Sequence, residues 1–379
     1  MNLMYRNFKV DRARAQSSHD QGTQPRQSQV NNLDQHTEKN RLLILGDVFL
    51  PEAQQIKMSL ESPFVFNLEG PITKTNKGCL GKIILKADES FIRETFGLYP
   101  LAVSLANNHI MDYGEEGLED TLRVLKQNGV SFFGAGSLTQ NCHNPLVLDV
   151  HGTKTAFMGY VSETASGVFA TNAAAGVMPP DLQRIKKDIA IAKSQGAVFI
   201  VVMLHWGAEE VFLPSEDDIK TAHQIVDAGA DMIAGSHAHC IQAYEVYQGK
   251  HIFYGLGNFI TPDLNARIIS VSAEEKKFIK KQMFWNRYSL AADIGMMDQS
   301  VRIRRFYYHV KKGFAVEAPT HITRYALKAG HLTSYGKKFR ISYVCGKIRR
   351  MAVDFMYHPR VPTARNFKNV FSFLSRGNR

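Results

Sequence analysis

The sequence lacks any long hydrophobic run, although 44% of its 379 residues are hydrophobic. No window approaches the ~18 uninterrupted apolar residues of a transmembrane helix, so the sequence predicts none. The N-terminal stretch MNLMYRNFKVDRARAQ also has no apolar segment of signal-peptide length. We therefore expect a cytoplasmic protein or one that attaches peripherally to a membrane.

Cysteine is scarce as well, and the spacing of the cysteines matches neither a zinc ribbon nor a C-x-x-C redox motif. The four cysteines are Cys79, Cys142, Cys240 and Cys345. Free thiols in a reducing compartment are the simplest interpretation. The pattern therefore indicates neither a cysteine-based zinc site nor thiol redox chemistry.

Acidic residues are nearly absent from the C-terminal part of the chain. Residues 301–379 contain 18 Lys and Arg but only two acids, Glu317 and Asp354, whereas residues 1–300 carry a net charge of −5. Basic and large apolar residues alternate in KKFRISYVCGKIRRMAVDFMY, which favours attachment to an anionic membrane or polymer, worth ~1 kcal/mol per basic residue near the surface. A solvated extension without a partner is the alternative. The tail has no nucleic-acid-binding motif, which argues against a nucleic-acid partner.

Large apolar residues are also sparse in residues 1–40, which are rich in Gln, Asn, Ser, Asp and Arg and are expected to be disordered. We place one structured domain at residues 41–313 and the basic extension at 314–379. Within the domain, predicted strands and helices alternate, and strand pairs flank the hairpin signals HGTK and QGK. A mixed α/β domain is predicted.

Residues of metal-ligand type close five of the apolar runs. The runs end at Asp47, at Asn67 and Glu69, at Asn107, Asn108 and His109, at His205, and at His237 and His239. In open α/β sheets, ligands bind beyond the carboxyl ends of the strands. Taken alone, each group has a structural explanation as a turn or a satisfied core residue. Their joint placement indicates a metal site, and carboxylates, amide oxygens and imidazoles together suit Mn²⁺, Fe²⁺ or Zn²⁺.

The H-x-H pair in ADMIAGSHAHC follows a predicted strand directly. Side chains two apart in extended backbone point the same way, so His237 and His239 are expected to face one site. Ser236 and Ala238 are then expected to point elsewhere. Gly235 is expected to let the chain turn sharply as it leaves the strand.

Six motifs, in order, resemble those of the capsule-synthesis CapA/PgsA family of the calcineurin-like metallophosphoesterase superfamily. They are ILGDVFL, FNLEGPIT, SLANNHIMDYGEEGL, HWGAEE, AGADMIAGSHAHCIQAYE and IFYGLGNFI. The resemblance covers roughly residues 41–310. It implies a sandwich of two mixed β-sheets flanked by helices (α/β/β/α) with one or two divalent metal ions at the strand ends.

The resemblance also implies a role for each ligand-type residue. It places Asp47, Glu69 and His239 on metal 1, with Glu69 in the position of a bridging carboxylate. It places Asn108, His205 and His237 on metal 2. His109 is similar to the adjacent histidine that meets the substrate, and would act as general acid or steer a charged group.

One departure from the superfamily pattern concerns metal 1. Superfamily members have D-x-H in the first motif, and the third position here is Phe49. Metal 1 then binds weakly, recruits another ligand or stays empty. Glu209 and Asp112 are carboxylates expected beside the site rather than on a metal.

Two further residues near the motifs are expected to support the site. Trp206 is expected to form a packing wall. Asn258 either positions its neighbours or contacts the substrate, and the sequence leaves both roles open.

The resemblance implies hydrolysis of a phosphoester or of an amide linkage in an anionic polymer, in capsule or poly-γ-glutamate metabolism. A non-hydrolytic assembly factor that holds an anionic polymer at the same metal site is the alternative. The missing histidine of the first motif favours this alternative. The metal, the natural substrate and the oligomeric state are not specified by the sequence.

Overall fold

The computed structural model describes residues 40–56, 60–140 and 143–318. The predicted disordered segment, up to residue 39, and residues 319–379 of the basic extension lie outside these ranges. Nearly all of the predicted domain therefore lies within them.

Strands dominate the described residues, and four α-helices accompany them. The strands are β1 (Arg41–Val48), β2 (Gln55–Ile56), β3 (Phe64–Leu68), β4 (Lys82–Ile84), β5 (Ala102–Ser104), β6 (Ser131–Phe133), β7 (Ala135–Gly136), β8 (Leu146–Val150), β9 (Thr153–Val161), β10 (Gly176–Val177), β11 (Phe199–His205), β12 (Met232–Ser236), β13 (Tyr244–Tyr247), β14 (Lys250–Phe253), β15 (Asn258–Ile260), β16 (Leu264–Ile269), β17 (Glu275–Lys280), β18 (Tyr288–Gly295), β19 (Val301–His309) and β20 (Phe314–Glu317). The helices are α1 (Ser90–Phe96), α2 (Gly114–Gln127), α3 (Leu182–Ser194) and α4 (Glu216–Asp227).

Two large mixed sheets form the centre of the fold. The first has the order β2-β20-β19-β18-β1-β3-β5-β6, with β15 also paired to β1. Its β1, β3, β5 and β6 are parallel, while β18, β19 and β20 are antiparallel. The second has the order β13-β14-β12-β11-β9-β8, with a parallel centre and antiparallel edges. Parallel strands of both sheets therefore direct their carboxyl ends toward one edge.

The alternation of side chains along the strands builds three apolar layers. In β1, Leu42 and Ile44 face the second sheet, whereas Leu43 faces α1 and α2. In β11, Val201 lies in the layer between the sheets and Val202 packs against α3 and α4. Both central strands are covered on both faces, which explains their uninterrupted apolar sequence.

The predicted sandwich of two mixed sheets flanked by helices is confirmed by this arrangement. The hairpins predicted around HGTK and QGK are β8–β9 and β13–β14. The first sheet continues through β20 to Glu317, four residues beyond the predicted domain boundary at 313, because β20 pairs with β19 and β2. No helix within the described residues is long and apolar enough to cross a membrane.

A small third sheet, which we call the cap sheet, was not predicted. It consists of β4, β16 and β17 in the order β17-β16-β4. Its strands are short and largely half-buried or exposed, so their sequences show no continuous apolar run. The cap sheet contributes side chains to the region around the strand ends described next.

Candidate metal centre

The ligand-type residues lie at the carboxyl ends of strands from both large sheets. The backbone N–H of His237, directly after β12, donates a hydrogen bond to Asp47 Oδ2 at 3.1 Å and so connects the second sheet to β1 of the first. Asp47 lies inside β1, because pairing with β3 and β15 continues through Val48. Gly46 permits this, since a Cβ there would lie 1.9 Å from the carbonyl oxygen of Gly257.

Asp47, Glu69 and His239 form one compact donor group. One ligand atom from each lies within 4.8 Å of the others. His239 Nδ1 lies 3.5 Å from Asp47 Oδ2, and its Nε2 lies 3.6 Å from Glu69 Oε1. Glu69 Oε1 is buried and makes no hydrogen bond to any residue in the described ranges. A buried oxygen of this kind is costly unless a ligand satisfies it.

Asn108, His205 and His237 form a second donor group. His205 Nε2 lies 3.0 Å from Asn108 Oδ1 and 3.1 Å from His237 Nδ1. The other ring nitrogen of His205 lies 2.8 Å from the Ser236 hydroxyl, which fixes the orientation of the ring. An amide oxygen and a second imidazole nitrogen therefore both lie beside His205 Nε2.

Burial sets the protonation of these two histidines. It lowers the pKa of His205 well below its ordinary value, and the neighbouring His237 and His239 lower it further. Burial likewise lowers the pKa of His237 to about 4. Both rings are therefore neutral at pH 7, which is the form that offers a lone pair to a metal ion.

The first donor group favours a positive charge at its centre. Burial raises the pKa of Glu69 to about 7. Burial lowers the pKa of His239, but the Glu69 and Asp47 carboxylates outweigh that effect and raise it to about 9, so a metal ion bound there has to displace the His239 proton. The donor set of both groups, with the unsatisfied Glu69 oxygen, therefore fits divalent metal ions of the predicted kind.

A chain of asparagine side chains orients Asp47 from behind. Asn67 donates to Asp47 Oδ1 at 2.8 Å, and Asn107 donates to Asn67 Oδ1 at 3.1 Å. Asn107 Oδ1 in turn accepts the backbone N–H of His109 at 3.1 Å. The asparagines at the strand ends thus tie the first donor group to the loop that carries Asn108 and His109.

The backbone of the H-x-H pair differs from the prediction. His237 and His239 have φ angles of 80° and 54°, so the segment is left-handed rather than extended. Hydrogen bonds hold this uncommon conformation, including one from Glu210 N–H to the Ala238 carbonyl at 2.8 Å. The prediction that Ser236 points away was also wrong, since its hydroxyl contacts His205. The left-handed backbone thus places His237 in the second donor group and His239 in the first.

Gly235 does not form the predicted swing out of the strand. It lies within β12, where a Cβ would be 2.0 Å from the Tyr254 carbonyl oxygen and 2.6 Å from Trp206 Nε1. Trp206 is buried, stacks on Tyr254 and donates to its carbonyl at 2.9 Å. The predicted packing wall at Trp206 is therefore present, and glycine at 235 is required by its close approach.

We expect Gly235→Ala to destabilise the protein by about 1–3 kcal/mol, because the added methyl displaces backbone as well as side chain. The free energy of unfolding from a urea titration measures this. Gly249→Ala is the comparison for a Cβ that meets no other atom: nothing lies within 4 Å of it, so any loss there reports only the strain of alanine at a φ of 76°. Equal stability of the wild type and Gly235→Ala would contradict the close-approach explanation.

Comparison with known proteins gives the chain a family. A sequence model of the bacterial capsule synthesis protein PGA_cap matches residues 51–263. The chain belongs to the PGA_cap family. The matched segment contains both donor groups except Asp47, together with His109.

Two Bacillus proteins are among the relatives of this PGA_cap chain. The capsule biosynthesis protein CapA of Bacillus anthracis is 31% identical over 215 residues, which cover 56% of this chain and 51% of that protein. The PGA biosynthesis protein CapA of Bacillus subtilis (strain 168) is 34% identical over 197 residues, which cover 51% and 52%. The chain thus spans about half the length of these relatives.

A solved structure of 5'-nucleotidase from Candida albicans SC5314 aligns with a TM-score of 0.40 and 9% identity. The alignment covers 82% of this chain and 58% of that chain. The family assignment depends on the sequence match and not on this superposition.

Phe49 gives this PGA_cap chain an apolar side chain beside the first donor group. The side chain is only 5% exposed and packs with Leu85 and Ala266. It lines the same pocket as Glu69 and His239. In the described residues, the first donor group therefore consists of the three side chains Asp47, Glu69 and His239 and abuts hydrophobic surface.

The Asp112 carboxylate orients the His109 ring. The ring Nδ1 lies 2.7 Å from Asp112 Oδ2, which also accepts the backbone N–H of Leu85 at 2.7 Å. Lys82 of the cap sheet pairs with Asp112 Oδ1 at 2.5 Å and donates to the Asn108 carbonyl at 2.6 Å. Asp112 is completely buried. It therefore fixes the His109 ring rather than serving as a metal ligand.

Asn258 lies behind His239. His239 Nδ1 donates to Asn258 Oδ1 at 3.0 Å, and Asn258 is 1% exposed. Of the two roles that the sequence left open, the structure shows the contact that positions a neighbour. This leaves His239 Nε2 for the first donor group.

Lys280 is the residue near the site that sequence reasoning missed. It ends β17 and lines the pocket together with Glu69, His109 and His239. Its ammonium lies 3.5 Å from carboxylate oxygens of both Glu209 and Glu210. The sequence KKFIKK does not indicate that Lys280 lies beside the pocket, because this placement depends on the pairing of β16 with β17.

Proposed function

We propose that this chain is a metal-dependent hydrolase of capsule or poly-γ-glutamate metabolism, acting on a linkage of an anionic polymer or on a phosphoester. The observation that supports it best is the convergence of two donor groups, from five different strand ends, beside a pocket that His109 lines. The names of the Bacillus relatives support the metabolic setting.

The residues of the chain have distinct parts in this proposal. Asp47, Glu69 and His239 would hold one dication, and Asn108, His205 and His237 a second. Bound dications supply Lewis-acid polarisation of the substrate and make water a stronger acid near neutral pH. His109, with its Nδ1 proton directed to Asp112, holds its other ring nitrogen available to give a proton to the leaving group.

Hydrolysis is tested with the purified full chain supplied with Mn²⁺, Fe²⁺ or Zn²⁺. Bis(p-nitrophenyl) phosphate reports phosphodiesterase activity, and the chain length of poly-γ-glutamate reports amide cleavage. We expect turnover of at least one substrate, lost on chelation and restored by the metal. Absence of turnover of both substrates with every metal would contradict the hydrolase proposal.

A polymer-holding protein that uses the same site without hydrolysis is the second candidate. The observation that favours it is Phe49, which leaves the first donor group with three side chains in the described residues. It predicts metal-dependent binding of poly-γ-glutamate with unchanged polymer length. Metal-dependent shortening of the polymer would instead support the hydrolase.

Replacement of His109 by glutamine separates proton transfer from metal binding. We expect kcat to fall by about 10²–10⁴-fold, the usual contribution of a positioned acid or base, while the metal content stays unchanged. Steady-state kinetics and elemental analysis measure the two quantities. Unchanged kcat would remove His109 from the mechanism, and loss of metal would show that it acts as a ligand.

The basic C-terminal extension is proposed to attach the protein to an anionic membrane or polymer. The support is its composition, with 13 basic residues against two acids in residues 314–379. Co-sedimentation of the full chain with phosphatidylserine vesicles at low salt is expected, and a chain ending at Ala318 is expected to stay in solution. Equal behaviour of the two chains would contradict the proposal.

A further inference from the structure

Lys280 is a half-buried cation at the edge of the candidate centre. Its side chain is 13% exposed and faces the pocket lined by Glu69, His109 and His239. Its positive charge is close enough to His239 to lower the pKa of that ring against the effect of the carboxylates. A cation in this place meets whatever group enters the pocket beside the metal ligands.

The ion pairs of Lys280 are long. Both Glu209 Oε2 and Glu210 Oε1 lie 3.5 Å from Nζ, beyond the 2.7–3.2 Å of a good N–H···O bond. Glu210 is also bound on its other oxygen by Trp285 Nε1 at 2.9 Å, which limits its approach to the ammonium. An ammonium has three donors, so Lys280 keeps hydrogen-bonding capacity for an anionic oxygen in the pocket.

One side of the pocket is apolar, and the polar residues Glu209, Thr261 and Gln282 complete its lining. We call this surface the apolar wall; it consists of Phe49, Ile83, Leu85, Leu264 and Phe278. It offers no hydrogen-bond partner to hydroxyl groups, so a sugar ring placed against it would lose the hydrogen bonds it makes with water. Methylene groups gain by burial there, at roughly 0.8 kcal/mol each.

We propose that Lys280 is a specificity-determining residue that binds a carboxylate of the substrate, with intervening methylene groups packed on the apolar wall. The substrate class is a chain in which a carboxylate and the bond at the metal centre are separated by a short apolar segment. This inference depends on the proposed function for the site, but it assigns recognition to the cap sheet. The carboxylates of Glu209 and Glu210 position the Lys280 ammonium, and the substrate carboxylate accepts its remaining hydrogen bond.

The test compares two probes that differ only in charge. One is a fluorescent trimer of γ-linked glutamate, and the other is the same trimer with every α-carboxylate converted to an amide. Binding to the full chain loaded with Mn²⁺ is measured by fluorescence anisotropy. We expect the wild type to prefer the carboxylate trimer by about 10-fold or more, as for a hydrogen bond between charged groups.

Lys280→Met removes the charge and keeps the apolar stem, so we expect it to abolish the preference while Lys280→Arg retains part of it. Lys277→Met is the matched control, since Lys277 lies on the same strand and is exposed. All variants carry the same basic extension, so its contribution cancels in the comparison. Metal content is measured in each variant.

An unchanged preference in Lys280→Met would overturn the proposal. Equal weakening of both trimers would also overturn it, because that result indicates a packing defect rather than recognition of charge. The readout is binding, so absence of hydrolysis leaves the test intact. Hydrolysis with no dependence on Lys280 would refute this inference and leave the proposed function standing.

Discussion

His205→Ala is expected to lower the affinity for divalent metal by more than about 100-fold and to abolish hydrolysis. Loss of residues that only orient metal ligands typically costs 10–100-fold, and His205 is itself at the convergence of Asn108 and His237. Burial keeps the ring neutral, so it contributes a lone pair across the whole pH range of ordinary assays. Titration calorimetry of the metal-free protein measures the affinity.

His151→Asn is the matched control for this substitution. His151 is an exposed histidine in the β8–β9 turn, at the opposite end of the second sheet from the site. Its φ of 52° is tolerated by asparagine, so the control adds no backbone strain. Metal affinity in His205→Ala equal to that of His151→Asn would exclude His205 as a ligand.

Asp112→Ala is expected to lower the free energy of unfolding by about 3–5 kcal/mol. The carboxylate is completely buried and is shared by Lys82, His109 and the backbone N–H of Leu85. Its removal leaves buried donors without an acceptor and an ammonium without its counter-ion. Chemical denaturation monitored by tryptophan fluorescence measures the change.

Glu275→Ala is the control for loss of a carboxylate from an ion pair. Glu275 pairs with Arg267 at 3.2 Å on the exposed face of the cap sheet, and such pairs contribute about 0–1 kcal/mol. A similar small loss in Asp112→Ala would show that Asp112 is not the anchor of the loop. Asp112→Asn keeps an oxygen for Leu85 and is expected to be intermediate in stability.

The layered fold was predictable because its central strands are apolar along their whole length. Val201 and Val202 belong to an unbroken apolar run, and such a run is typical of a strand covered on both faces. The two short hairpin signals fixed the antiparallel edges of the second sheet. The cap sheet was missed because β4 and β16 meet across a separation of nearly 200 residues, and neither strand is a continuous apolar run.

The types and places of the donor residues were also predictable, since they follow buried strands. The local backbone was not, because the left-handed φ angles of His237 and His239 are imposed by contacts with distant segments. Lys280 was missed for a related reason. Its position depends on register within the cap sheet, and a run of lysines is ordinarily a solvated surface.

Elemental analysis of the purified full chain most directly tests the claim that two donor groups hold divalent metal. Wild type, His205→Ala and His239→Ala are purified from medium supplemented with Mn, Fe and Zn, and metal per chain is measured by mass spectrometry. We predict one or two dications per wild-type chain, with the metal of the second donor group lost in His205→Ala and that of the first, where it is bound, lost in His239→Ala. A wild-type protein without stoichiometric metal, or variants that retain the full wild-type content, would contradict the account.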